Sequence, residues 1–176
     1  LLASCVFFAD GAEVLLISSV ADVVEREWHL NHVKSGSIVS VVFVGVLLGS
    51  FLSGLLGDIY GRRVPVCLSL SMVLMCSVLS ATASGYWSLL IYRFMVGAGF
   101  GIGVPAANAM FTEISPTNSR TAFAALSQSL FAVGELYSAF LLWMDDPTLI
   151  NLQWRRVIMQ GAIPSIIFFL AAYPLL

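Results

Sequence analysis

The chain has 176 residues, 59% hydrophobic and only 10% charged, with 8 Lys and Arg against 10 Asp and Glu for a formal net charge of -2. Its mean hydropathy is +0.95. A water-soluble domain runs about 45–50% apolar and about 25% charged, so this composition places the chain in a lipid bilayer, and the lack of any basic block excludes nucleic-acid binding as its main activity.

Crossing about 30 Å of hydrocarbon takes roughly 20 apolar residues, and the chain divides into six units of that size. The predicted spans are residues 2–21, 37–57, 64–83, 87–111, 121–143 and 157–176. The links between them are short and polar, so they hold no soluble domain and each helix must run antiparallel to the one before. Arg62, Arg63 and Arg120 fall on one side, and Arg26, Lys34, Arg155 and Arg156 on the other. Charge alone therefore does not orient the bundle. The chain opens on Leu1-Leu2-Ala3 and ends at Leu176 inside an apolar run, so it reads as a fragment. A cleavable signal peptide is not expected, because the first apolar stretch is long and carries acids.

The link before the third span reads Gly61-Arg62-Arg63-Val64 and the link before the sixth reads Trp154-Arg155-Arg156-Val157, at the same place in each triplet of helices. Two triplets of inverted topology would put those links on opposite faces of the membrane. Small residues mark close helix contacts: Gly45-x-x-x-Gly49, Gly57-x-x-x-Gly61, and the series Gly97, Gly99, Gly101 and Gly103 in the fourth span. Pro105 and Pro164 should bend the fourth and sixth helices and free backbone groups that a neighbour must satisfy. Cys5, Cys67 and Cys76 lie in apolar runs and read as small hydrophobes. His29 and His32 lack a third ligand and read as interfacial residues, while Trp28, Trp87, Trp143 and Trp154 fit interfacial anchoring. No metal, cofactor or enzymatic activity is expected.

Four ionisable residues lie within spans: Asp10 and Glu13 in the first, Arg93 in the fourth and Glu135 in the fifth. Each would cost about 2.5–3.5 kcal/mol at the bilayer centre without a partner or a water-filled cavity. Asp10 and Glu13 are three apart and share a helix side, and the depth of Asp10 matches the reach of Arg93, so an Arg93–Asp10 pair is predicted. Three acids against one arginine leave two negative charges uncompensated, which protons or a cationic substrate would neutralise. The competing reading is a static ion pair that fixes helix register. Gln128 stands seven residues before Glu135 and points the same way, as one cavity wall would. Asn108 and Ser18 are weaker lining candidates.

The link after the second span reads Gly54-Leu55-Leu56-Gly57-Asp58-Ile59-Tyr60-Gly61-Arg62-Arg63. It resembles the G-x-L-x-D-x-x-G-R-R/K signature of the major facilitator superfamily, which lies in the cytoplasmic loop after the second helix. Asp58 sits at a helix C-terminus, where the macrodipole disfavours a carboxylate, so a partner elsewhere is expected. Gly61 suits the tight turn. Arg93-x-x-x-Gly97-x-Gly99, then Glu113-Ile114-Ser115-Pro116 and Arg120, resemble patterns of sugar-porter-like members.

The resemblance implies an all-α membrane protein, one half of a twelve-helix fold built from 3+3 inverted repeats, with the C-terminal six-helix half as its missing partner. It also implies a cytoplasmic gate of Asp58, Arg62, Arg63, Glu113 and Arg120, and it fixes that end as the inner one. Sugar porters carry Q-x5-G-Q in the fifth helix, where this chain has Gln128-x5-Gly134-Glu135. That glutamate argues against a neutral hexose. The acid pair in the first span looks more like the synaptic-vesicle-2-related and organic-ion branch. The expected function is proton-linked transport of a small organic ion or related solute by alternating access, in the plasma membrane or an intracellular vesicle membrane. The alternative is a transporter-shaped protein with a receptor or interaction role.

Overall fold

The computed structural model describes residues 2–114, 120–146 and 152–172. The side chain of Cys5, the residues Ser115 and Pro116 and the end of the sixth predicted span lie outside the described residues. Among those described, the order is α1 (Leu2–Glu27), α2 (His32–Tyr60), α3 (Arg63–Ala81), α4 (Tyr86–Ile114), α5 (Arg120–Asp145), α6 (Trp154–Gly161) and α7 (Ile163–Ala172). By length and composition α2, α3, α4 and α5 each suffice to cross a membrane. The 26 residues of α1 reach about 39 Å at 1.5 Å per residue, long enough as well.

Helix ends run beyond the apolar stretches that predicted them. The first link was expected over residues 22–34, yet α1 continues to Glu27 and α2 begins at His32. Arg26 and Glu27 are good helix formers, and polarity alone does not end a helix. What ends α1 is a left-handed residue, His29 at φ 50°. It lets the Leu30 N–H donate back to the Glu25 carbonyl at 2.9 Å, a Schellman closure in which a histidine takes the glycine position. His32 turns instead to Glu25, with Nδ1 2.7 Å from Oε1. The two histidines thus serve separate ends of one turn.

The sixth span is not one helix but two, α6 and α7, meeting at Ala162. The cause is Pro164, which has no N–H to give the Gln160 carbonyl four residues back. That carbonyl accepts instead from the Tyr137 hydroxyl of α5 at 2.9 Å. Pro105 leaves α4 unbroken. There the Ser53 hydroxyl of α2 donates to the Ile102 carbonyl at 2.7 Å, next to the Gly101 carbonyl that Pro105 cannot serve.

Glycines set how closely the helices approach. A Cβ at Gly45 or Gly49 would overlap the backbone of α4 at Phe94 and Ala98, and one at Gly97 or Gly101 would overlap α2 at Val42 and Val46. Gly99 and Gly103 turn the other way, toward Ser69, Met72 and Val73 of α3. Gly57 and Gly61 do not form the helix contact expected of them. Gly57 packs on the Arg62 side chain, and Gly61, at φ +80°, closes α2. The α2–α4 arrangement recurs between α5 and α1, where a Cβ at Gly134 would meet Phe8 and one at Gly11 would meet Phe131. Second helix against fourth and fifth against first is what two inverted triplets produce. Gly97→Val should cost at least about 1–3 kcal/mol by overpacking a backbone contact. Gly36→Ala, with open space around it, should be tolerated; thermal unfolding of both variants in detergent checks the contrast.

The polar cost of placing serines in an apolar bundle is met locally. Hydroxyls of Ser40, Ser50, Ser71, Ser80 and Ser129 donate to carbonyls three or four residues back in their own helices. Cys67 and Cys76 are unpaired and half-buried.

Candidate functional site

α1 stands at the centre of the bundle. Val6, Ala9, Ala12, Leu16, Val20 and Val24 are buried, so little of its circumference is open. The side left open carries Asp10, Val14 and Ser18, which recur at helical spacing and, with the buried Ile17, line a cavity of about 510 Å³. Val39, Val42, Phe43, Val46 and Ser50 of α2 form a second wall, Phe100, Gly101, Val104 and Pro105 of α4 a third, and Phe131 and Glu135 of α5 a fourth. Asp10 and Glu135 are the only ionisable groups among the described residues of this lining.

Glu13 does not share that cavity. Three residues along a helix is a turn of about 300°, which carries Glu13 some 60° off the Asp10 stripe and into the contact with α3 and α4. There it is 0% exposed and accepts from the Ser77 hydroxyl and from Arg93 Nη1, the latter at 3.0 Å. Arg93 is also 0% exposed. Its pair is therefore Glu13 and not the predicted Asp10. The physical reason is depth: α1 extends six residues past its predicted end, so both acids lie about 9 Å further from that end, and the nearer of the two meets Arg93. Arg93 Nε and Nη2 have no hydrogen-bond partner among the described residues.

Two other predicted lining residues lie elsewhere. Gln128 is exposed, two turns from Glu135 toward the start of α5 and past the last residues of the cavity wall. Asn108 is exposed as well and faces a cleft of about 40 Å³ with Thr112 and Arg120. Ser18 lines the cavity as expected, its hydroxyl donating to the Leu15 carbonyl at 3.0 Å.

At the end where α2 meets α3, Arg62 gathers the charges. Its Nη2 lies 3.4 Å from Asp58 Oδ1, and its Nε donates to Glu113 Oε1 at 3.2 Å. Arg62 thereby joins the ends of α2 and α4 to the start of α3, and Asp58 has the cation its place at a helix C-terminus calls for. Arg63 and Arg120 are exposed and pair with no described residue, and Gly54 faces open space.

Helices packed around an acid-bearing cavity, with a charge cluster at one end, have the architecture of one half of a major facilitator fold. The profile of the sugar (and other) transporter family matches residues 8–175, and the chain belongs to that family. The organic cation/carnitine transporter 7 of Arabidopsis thaliana is 31% identical over 162 residues, 92% of this chain and 32% of that protein. The synaptic vesicle 2-related protein of Xenopus laevis is 31% identical over 173 residues, 98% of this chain and 31% of that one. The chain thus spans about a third of the length of these curated relatives. The inward-open structure of the xylose transporter XylE from E. coli, elsewhere described as a proton:xylose symporter, superposes with a TM-score of 0.83 at 19% identity. The match covers 98% of this chain and 46% of that chain, so this chain has the fold of about half of that protein.

Proposed function

We propose that the full-length protein moves a small organic cation across its membrane by alternating access, coupled to protons through Asp10. The observation that carries this is the cavity lining: two carboxylates, Asp10 and Glu135, with apolar and aromatic walls and no cation among the described residues. A carboxylate in such a wall favours a bound positive charge, and Phe43, Phe100 and Phe131 suit an apolar body around it. Arg93, the one cation buried in the bundle among the described residues, is already held by Glu13 and does not neutralise the cavity. Asp10 is the acid that exchanges the proton, because it opens on the cavity while Glu13 is enclosed by Arg93 and Ser77. The name of the Arabidopsis relative and the proton symport of the xylose transporter agree with this reading.

The Asp58–Arg62–Glu113 cluster then marks the cytoplasmic end. The exposed apolar faces of α2 (Phe43, Leu47, Phe51, Leu55) and α5 (Leu126, Val133, Leu136, Phe140) flank the cavity and receive the second six-helix half. The compartment is the plasma membrane or a vesicle membrane.

Uptake by liposomes containing the full-length protein tests the substrate class. Labelled tetraethylammonium, benzoate and xylose serve as cationic, anionic and neutral probes, with and without an imposed pH gradient. Tetraethylammonium should enter fastest, and a protonophore should abolish the effect of the gradient. Benzoate or xylose entering in its place would overturn the cation assignment, and no flux of any probe would favour a receptor or interaction role.

A further inference from the structure

Trp154, Arg155 and Arg156 open the sixth span, and each reaches a different helix end. Trp154 Nε1 donates to Glu27 Oε2 at 2.5 Å, at the end of α1. Arg155 Nη2 donates to the Ala83 carbonyl at 3.0 Å, just past α3. Arg156 Nη1 lies 3.7 Å from Asp145 Oδ1 at the end of α5, and the other Asp145 oxygen accepts from the Gln153 N–H at 2.9 Å. The Trp154 ring is 2% exposed, set edge-on to Trp28 and beneath the Arg155 guanidinium.

This is the counterpart of the Arg62 cluster at the opposite end. Pairing α1 with α4, α2 with α5 and α3 with α6 converts one network into the other. Asp58 at the end of α2 corresponds to Asp145 at the end of α5, Glu113 near the end of α4 to Glu27 at the end of α1, and Arg62 just before α3 to Trp154 and Arg156 in the first turn of α6. In each case one short segment ties the third helix of a triplet to the second helix of its own triplet and to the first helix of the other. A matching arrangement of contacts at both ends, on segments already similar in sequence, is more than solvated loop charges provide.

We propose that Glu27, Asp145, Trp154 and Arg156 form an outer latch, which holds that end of the bundle together and whose release exposes the cavity to the outer side. The proposal rests on the alternating-access reading above. α1 and α5 both line the cavity, so loosening the outer end of either one from α6 widens the outer mouth.

The test reads conformation rather than flux, so failure of transport and failure of the latch are distinguishable. In full-length protein with Cys5, Cys67 and Cys76 changed to Ser, a Ser18→Cys reporter in the cavity is labelled with a membrane-impermeant maleimide from each side of oriented vesicles. Trp154→Phe combined with Arg156→Met removes the latch donors and keeps an aromatic ring at the first position. It should raise labelling from the outer side about five-fold, the change expected when two weak, partly exposed contacts are lost from a two-state balance. Asp58→Asn should shift labelling the opposite way, and Glu27→Gln repeats the outer test without touching the tryptophan packing. Unchanged outer labelling in both latch variants, or a shift in the same direction as Asp58→Asn, would overturn the proposal.

Discussion

Glu13→Ala should lower the stability of the full-length protein by about 3–5 kcal/mol, the range for deleting one member of a buried ion pair. Both side chains of the Glu13–Arg93 pair are 0% exposed, so the substitution strands a guanidinium away from water and also removes the acceptor of the Ser77 hydroxyl. The loss comes chiefly from the unpaired charge and not from the missing bond. Replacing both partners with apolar residues, Glu13→Leu with Arg93→Met, should therefore recover most of it. Thermal unfolding in detergent makes the comparison. If the single variant unfolds with the wild type, or the double variant is worse than the single, the stranded charge is not what the pair prevents.

Asp10→Asn should leave the fold intact and remove the response of uptake to a pH gradient. Asp10 has no ion-pair partner among the described residues and faces the cavity, so its neutral amide strands no buried charge. Coupling between two bound species typically amounts to about 5–150-fold in affinity, and the loss of the shared carboxylate should forfeit that factor. Glu135→Gln should weaken cation binding while a pH response remains, since Asp10 is still present. A gradient response that survives Asp10→Asn and vanishes in Glu135→Gln would reassign the proton to the fifth span.

Local sequence patterns anticipated what depends on neighbours along the chain. The Asp58-to-Arg63 segment is contiguous, so its turn at Gly61 is legible, and Gly45, Gly49, Gly97 and Gly101 are legible as close-contact positions, though not which helix each one meets. Partners across the bundle were harder. Apolar length alone ends α1 at residue 21 and so matches Arg93 to Asp10, while the helix runs on to Glu27 and brings Glu13 to it. Gln128 was misplaced because periodicity gives the side of a helix a residue faces but not where along it a cavity stops. The break at Ala162 was foreshadowed by Pro164, yet nothing in the sequence designates Tyr137 as the donor to the freed Gln160 carbonyl. Likewise, Arg155 and Arg156 defy a simple charge rule because they bond to helix ends, which composition does not register.

If a cation and a proton share the Asp10 cavity, their fluxes are linked, and recording both at once shows it. Liposomes holding the full-length protein and an internal pH dye receive labelled tetraethylammonium with no initial gradient. The prediction is a proton flux that starts with cation entry and is absent in Asp10→Asn. Cation entry in the wild type with no proton movement would contradict it.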